Sequence, residues 1–108
     1  MLFIEAPYFT HHVHDYLDDV EYAALQWRLV LQPDAGDVIR GSGGVRKLRW
    51  AAAGKGKRGG LRIIYYWYRS QNEIWLLTMY AKNEASDIRP DVLRAIRREV
   101  ESWLKKEM

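Results

Sequence analysis

The spacing of apolar residues divides the chain into two halves with different periods. Leu2 to Glu5 is a short apolar run suited to a strand, and Pro7 fits the first turn of a helix. From Tyr8 to Leu17, Phe9, Val13, Tyr16 and Leu17 recur at helical spacing. A second helix carries Val20, Ala23, Ala24, Trp27, Val30 and Leu31 as an apolar stripe, with Asp18 or Asp19 as its N-cap. Gln32-Pro33-Asp34-Ala35-Gly36-Asp37 ends it with strong turn chemistry.

The period then shortens. Arg46 to Ala51 reads as a strand, and Leu61 to Arg69 as a longer one rich in β-branched and aromatic residues. Glu73 to Tyr80 follows across Ser70-Gln71-Asn72, a connection short enough for a hairpin. Between the first two strands, Gly54-Lys55-Gly56-Lys57-Arg58-Gly59-Gly60 is too glycine-rich for a strand and predicts a mobile basic loop. A last helix is predicted from about Pro90 to Lys106, with Val92, Ile96, Val100, Trp103 and Leu104 inward and Arg94, Arg97, Arg98 and Lys105 outward. The order β-α-α-β-β-β-α predicts one α+β domain over residues 1–108, with two N-terminal helices, a small mostly antiparallel sheet and a closing helix.

Composition narrows the chemistry. A chain of 108 residues, 48% hydrophobic and 29% charged, can bury one core without staples. It has no cysteine, which removes disulfides, thiolate nucleophiles and Cys-type zinc sites together. Glu5 and Pro7 interrupt the start of the chain before any signal-peptide run, and no stretch reaches the ~20 apolar residues needed to cross a bilayer. A cytoplasmic protein is expected.

The formal charge of +3 matters less than its distribution. Arg40, Arg46, Lys47, Arg49, Lys55, Lys57, Arg58, Arg62 and Arg69 form a block with no acid among them. The acids gather earlier, as Asp15, Asp18, Asp19, Glu21, Asp34 and Asp37. A single-sign block attracts polyanions, and aromatic residues interleaved with it suit a nucleic acid. Alternation along Leu61 to Arg69 puts Arg62, Ile64, Tyr66 and Tyr68 on one face. That face is either an RNA platform, with guanidinium on phosphate and rings on bases, or one side of a core strand with Arg62 reaching the rim.

Other constellations are weaker. Gly54 to Gly59 formally matches GxGxxG, but a strand follows it rather than a helix, so neither a dinucleotide site nor a P-loop is predicted. His11, His12 and His14 cluster in the acidic half, where they make a poor metal site and a poor ribonuclease pair. Asp18-Asp19 and Asp34/Asp37 sit at expected caps and turns. No metal and no cofactor are expected.

Three segments taken in order, Gly41-Ser42-Gly43-Gly44-Val45-Arg46-Lys47-Leu48-Arg49-Trp50, Gly56-Lys57-Arg58-Gly59-Gly60-Leu61-Arg62-Ile63-Ile64-Tyr65-Tyr66 and Leu76-Leu77-Thr78-Met79-Tyr80-Ala81-Lys82-Asn83-Glu84, resemble a RelE/HigB-type toxin. Phe3-Ile4-Glu5, Pro7, Phe9-Thr10 and Pro33-Asp34-Ala35-Gly36-Asp37 extend the likeness over nearly the whole chain, most closely to the HigB branch also known from phage-derived toxin genes. The resemblance implies a RelE-like fold and an endoribonuclease that cuts mRNA, usually in the ribosomal A site. It also implies a helix-turn-helix antitoxin as partner. By residue it implies Arg62, Lys82, Lys57 and Tyr80 as catalytic groups. Arg46, Lys47, Arg49, Lys55, Arg58, Tyr66 and Tyr68 are the expected RNA-binding set. The segment after Lys82 lacks the later arginine and tyrosine of the better-known RelE branch, which leaves acid and base unassigned. A ParE-like toxin acting on DNA gyrase and a non-catalytic nucleic-acid-binding module are the rival readings.

Overall fold

A computed structural model of the chain describes residues 1–51, 60–85 and 87–107. Five strands form one sheet in the order β1-β5-β4-β3-β2: β1 Leu2–Glu5, β2 Asp37–Val38, β3 Val45–Trp50, β4 Leu61–Tyr68 and β5 Glu73–Ala81. All pairings are antiparallel except β1 with β5. Helices α1 Pro7–Tyr16 and α2 Asp19–Leu31 join the core on one face of the sheet, and α3 Pro90–Glu107 covers the other. The α+β architecture read from the period change is therefore present, with one addition. The two-residue β2 is too short to leave a periodic signal, and pairing Asp37 with Lys47 and Val38 with Arg46 defines it.

Each sheet face has its own core. Under α1 and α2 lie Phe9, Val13, Leu17, Leu25, Leu29, Leu48, Ile63, Tyr65, Leu76 and Met79. Under α3 lie Val45, Ile64, Trp75, Leu77 and Val100, with Ile96, Trp103 and Leu104 packed against them. The α3 stripe expected from the sequence is the one used. The tertiary structure corrects α2: Val20, Ala23, Ala24, Trp27, Val30 and Leu31 face outward, while Leu25 and Leu29 are the residues buried. Both sides of this helix are apolar, so periodicity does not choose between them. Local anchors help fix the orientation. Asp18 accepts from the Glu21 N–H at 2.8 Å in a capping box, and Tyr22 donates its hydroxyl to the Glu5 carboxylate.

Gly60 ties three strands at the end of the sheet. Its φ is +60°, and an added Cβ would collide with the Trp50 carbonyl oxygen of β3. Its own carbonyl accepts the Lys82 N–H beyond β5 at 3.1 Å. Among the described residues, no helix is long and apolar enough to cross a membrane.

Candidate RNA-cleavage site

The strand register builds a row of three side chains beneath the end of the sheet. Arg62 of β4 is paired with Arg49 of β3 on one side and with Tyr80 of β5 on the other. Directly paired residues share a face with Cβ atoms ~5 Å apart. Alternation keeps this row on the α3 face, shared with Ile64 and Tyr66. Arg62 is only 9% exposed, and Arg49 is exposed at the strand edge. Like charges set directly opposite destabilise a sheet. The Arg62 guanidinium also donates to the Leu61 carbonyl at 3.4 Å.

Tyr80 completes the row with a buried hydroxyl that has no hydrogen-bond partner among the described residues. Burial raises its pKa above the ordinary 10.0, the Asp87 carboxylate adds to the rise, and Arg62 offsets part of it. The phenol stays protonated near neutral pH. Such a group can donate a proton or a hydrogen bond but is a poor base.

One step along β3, Lys47 Nζ lies 3.4 Å from the Asp87 carboxylate. The Ile88 N–H, at 2.8 Å, does most to hold the Asp87 carboxyl below its usual range, with Lys47 helping against partial desolvation. Asp87 is the residue that sequence reading passed over. It precedes Pro90 in a stretch that looks only like helix-capping material, and nothing local announces its reach back to β3. A hollow of about 460 Å³ opens beside it, lined by Lys47, Arg49, Asp87, Ile88, Pro90 and Leu93 together with residues 37–40. Another of about 310 Å³ borders Tyr80, Thr78 and Asp87. A larger one, about 510 Å³, lies between the start of α1 and α3 and has no lysine or arginine in its lining, so it offers phosphate nothing.

The remaining sequence candidates divide clearly. Lys82 sits just past the end of β5, exposed, two residues beyond Tyr80. Lys55, Lys57 and Arg58 lie outside the described residues. Arg46 is on the opposite face, where its guanidinium donates to the carbonyls of Gly36 at 2.8 Å and Asp34 at 3.3 Å. It holds the turn after α2, together with its strand partner Tyr65, whose hydroxyl donates to the Pro33 carbonyl at 2.7 Å and accepts from the Gly36 N–H at 2.9 Å. Tyr66 and Tyr68 share the face of Arg62, yet both pack on Trp75 beneath α3, with ring centroids 5.4 and 5.2 Å away. Both are half-buried there, packed against the core beneath α3. His11, His12 and His14 belong to α1 and stand outside the row; His12 Nδ1 is 3.3 Å from Asp15. Among the described residues, no cluster of three potential ligands could hold a metal.

Comparison with known proteins agrees with this architecture. The structure of E. coli toxin RelE, in a double arginine-to-alanine mutant form in the free state, superposes with a TM-score of 0.56 at 13% identity, over 79% of this chain and 86% of that one. That likeness is one of fold. A family model described as RelE toxin of RelE / RelB toxin-antitoxin system matches residues 35–107, the segment running from the turn after α2 to the end of α3. The chain belongs to the RelE toxin family, the toxin half of a toxin–antitoxin pair.

Proposed function

We propose that this toxin is an mRNA endoribonuclease that cuts in the ribosomal A site, halts translation in the cytoplasm, and is held inactive by a small helix-turn-helix antitoxin. The observation that carries the reading is the Arg49–Arg62–Tyr80 row: two opposed cations beside a buried hydroxyl with no hydrogen-bond partner among the described residues. In this reading the RNA 2′-hydroxyl attacks the adjacent phosphorus. The O2′–P bond forms and the P–O5′ bond breaks, leaving a cyclic phosphate and a 5′-hydroxyl. Arg62, backed by Arg49, meets the charge that builds on the phosphorane oxygens. Tyr80, kept neutral by burial, hydrogen-bonds the phosphorane or passes its proton to the leaving O5′. The 2′-hydroxyl proton then falls to a lysine, Lys82 or Lys57. Lys47 binds the flanking phosphate after leaving Asp87. The run Tyr80-Ala81-Lys82-Asn83-Glu84 favours the HigB branch.

The test is induced expression followed by mapping of mRNA 5′ ends, comparing wild type with Arg62→Ala. Cleavage confined to translated frames, and lost in the variant, is the expected result. Intact mRNA together with loss of gyrase supercoiling activity would transfer the protein to the ParE-like reading.

A further inference from the structure

Past Tyr80 the last strand runs out of neighbours on one edge. β1 pairs only with Glu73 to Leu76 of β5, so among the described residues no strand meets the outer edge beyond Leu76. The Lys82 N–H bonds the Gly60 carbonyl toward β4, and the alternation of an antiparallel strand sends the Ala81 N–H and carbonyl to that outer edge. Ala81 is buried, and a buried backbone group left unbonded is costly. Glu84 meets both. Its N–H donates to the Ala81 carbonyl at 2.9 Å, closing a turn over Lys82 and Asn83, and its Oε1 accepts the Ala81 N–H at 2.8 Å.

The same carboxylate oxygen is held from a second side. Tyr16, the last residue of α1, donates its hydroxyl to Glu84 Oε1 at 2.6 Å. Val13 and Leu17, either side of Tyr16, are both buried in the core, so the ring stands on a fixed mount. Burial first, then the hydrogen bond and charge of Glu84, raises the Tyr16 pKa well above 10.0, which keeps the hydroxyl a donor near neutral pH. Glu84 also lines the hollow of about 310 Å³ that borders Tyr80. Its Oε1 already accepts two hydrogen bonds there, which suits a brace better than a base.

We propose that Glu84, braced by Tyr16, is a positioning residue that holds the 81–84 turn so that the Lys82 amine meets the RNA 2′-hydroxyl. The proposal rests on the cleavage reading, with Lys82 as its base, and gives Glu84 no contact with RNA. Lys82 is exposed and its side chain is long, so its placement has to come from the backbone beneath it. A base must come within hydrogen-bond reach of its proton, and a misplacement of about 1 Å can cost roughly 10²-fold in rate.

The experiment gives full-length toxin ribosomes programmed with one mRNA, and reads kcat, KM and the pH profile of kcat beside a melting curve. Glu84→Ala is expected to lower kcat roughly 10- to 100-fold with KM within about twofold, since positioning acts after binding. Tyr16→Phe removes a single hydroxyl, carries the test if Glu84→Ala fails to fold, and should lower kcat roughly threefold to tenfold. Glu84→Gln keeps an oxygen that can accept from Ala81 and Tyr16, so it should recover most of the lost rate. The pH profile should hold its position in all three. Neither Glu84→Ala nor Tyr16→Phe should slow a Lys82→Ala toxin any further. Wild-type kcat in Tyr16→Phe and Glu84→Ala, or losses that add to that of Lys82→Ala, would overturn the proposal. A Glu84→Gln toxin as slow as Glu84→Ala, with a displaced pH profile, would overturn it too, by making the carboxylate charge the working feature. A wild-type toxin that cuts no mRNA would instead remove the cleavage reading beneath it, a failure visible before any variant is made.

Discussion

Arg46 and Arg49 stand three residues apart on β3 and point to opposite faces of the sheet, and the two regions they serve differ in kind. On the α1/α2 face, Arg46 through Nη1 and Tyr65 through its hydroxyl bind backbone groups of the 33–36 turn. On the α3 face, Arg49 and Arg62 confront each other, and Tyr80 buries a hydroxyl that bonds nothing described. The first region ties its arginine and tyrosine to backbone carbonyls and an amide of one turn. The second sets two guanidiniums side by side and holds a phenol hydroxyl with no hydrogen-bond partner among the described residues, a pattern common where a ligand binds. Residue type alone does not separate the two regions, since each contains one or more arginines beside a tyrosine.

Exchanging the roles of the two arginines gives the largest expected effects. Arg62→Ala should lower RNA cleavage by roughly 10²–10³-fold, the usual loss when a charge-stabilising donor is removed, with little change in melting temperature. Arg46→Ala should do the reverse: cleavage per folded molecule holds, while denaturant titration shows a loss of about 1–3 kcal/mol from the abandoned carbonyls. If both variants lose the same property, the two faces are not functionally distinct.

The tyrosines sharpen the same contrast. Tyr80→Phe should cut cleavage by about 10²-fold, the lower end of general-acid contributions, and leave stability unchanged or slightly raised. Tyr65→Phe should cost about 1–2 kcal/mol and spare cleavage, a difference visible in paired melting and activity assays. Tyr65 also predicts an alkaline limit. Burial raises its pKa above 10.0 in the folded chain. Its contribution to stability is therefore complete below pH 10 and is lost as pH rises through the folded-state value. Unfolding curves between pH 9 and 12 should show that loss in wild type and a shallower one in Tyr65→Phe.

Asp87→Asn is expected to have the smallest effect. It releases Lys47 from an exposed ion pair, and RNA affinity should rise roughly twofold to fivefold with little change in stability, in line with the modest strength of such pairs. The Asp87 carboxyl has a lowered pKa, so the pair persists above the ordinary value of 3.8 and breaks as pH falls through the folded-state value. The gain in Asp87→Asn should therefore fade in acid, where wild type loses the pair as well. Binding titrations with an oligonucleotide at neutral and acid pH check this.

Some of this was legible from local pattern. The α3 stripe reads correctly because one side of that helix is apolar and the other charged, so only one burial is possible. Alternation in Leu61 to Tyr68 sorts Arg62 from Tyr65 without ambiguity. The α2 seam misleads for the converse reason, with apolar residues on both sides and burial going to Leu25 and Leu29. Tyr66 and Tyr68 lie on the expected face, and their packing on Trp75, which half-buries them, comes from a strand pairing no local pattern shows. Asp87 was invisible because its partner, Lys47, lies 40 residues away.

The sequence by itself determined the elements, the α+β class, the basic block and the side of β4 that carries Arg62, because periodicity and turn chemistry act over a few residues. Only the tertiary structure decided that Arg49, Arg62 and Tyr80 share a row, that Arg46 holds the 33–36 turn, and that α2 shows a seam to water. Cross-strand register and the choice between two apolar helix faces depend on which distant surfaces meet, and no local pattern encodes that meeting.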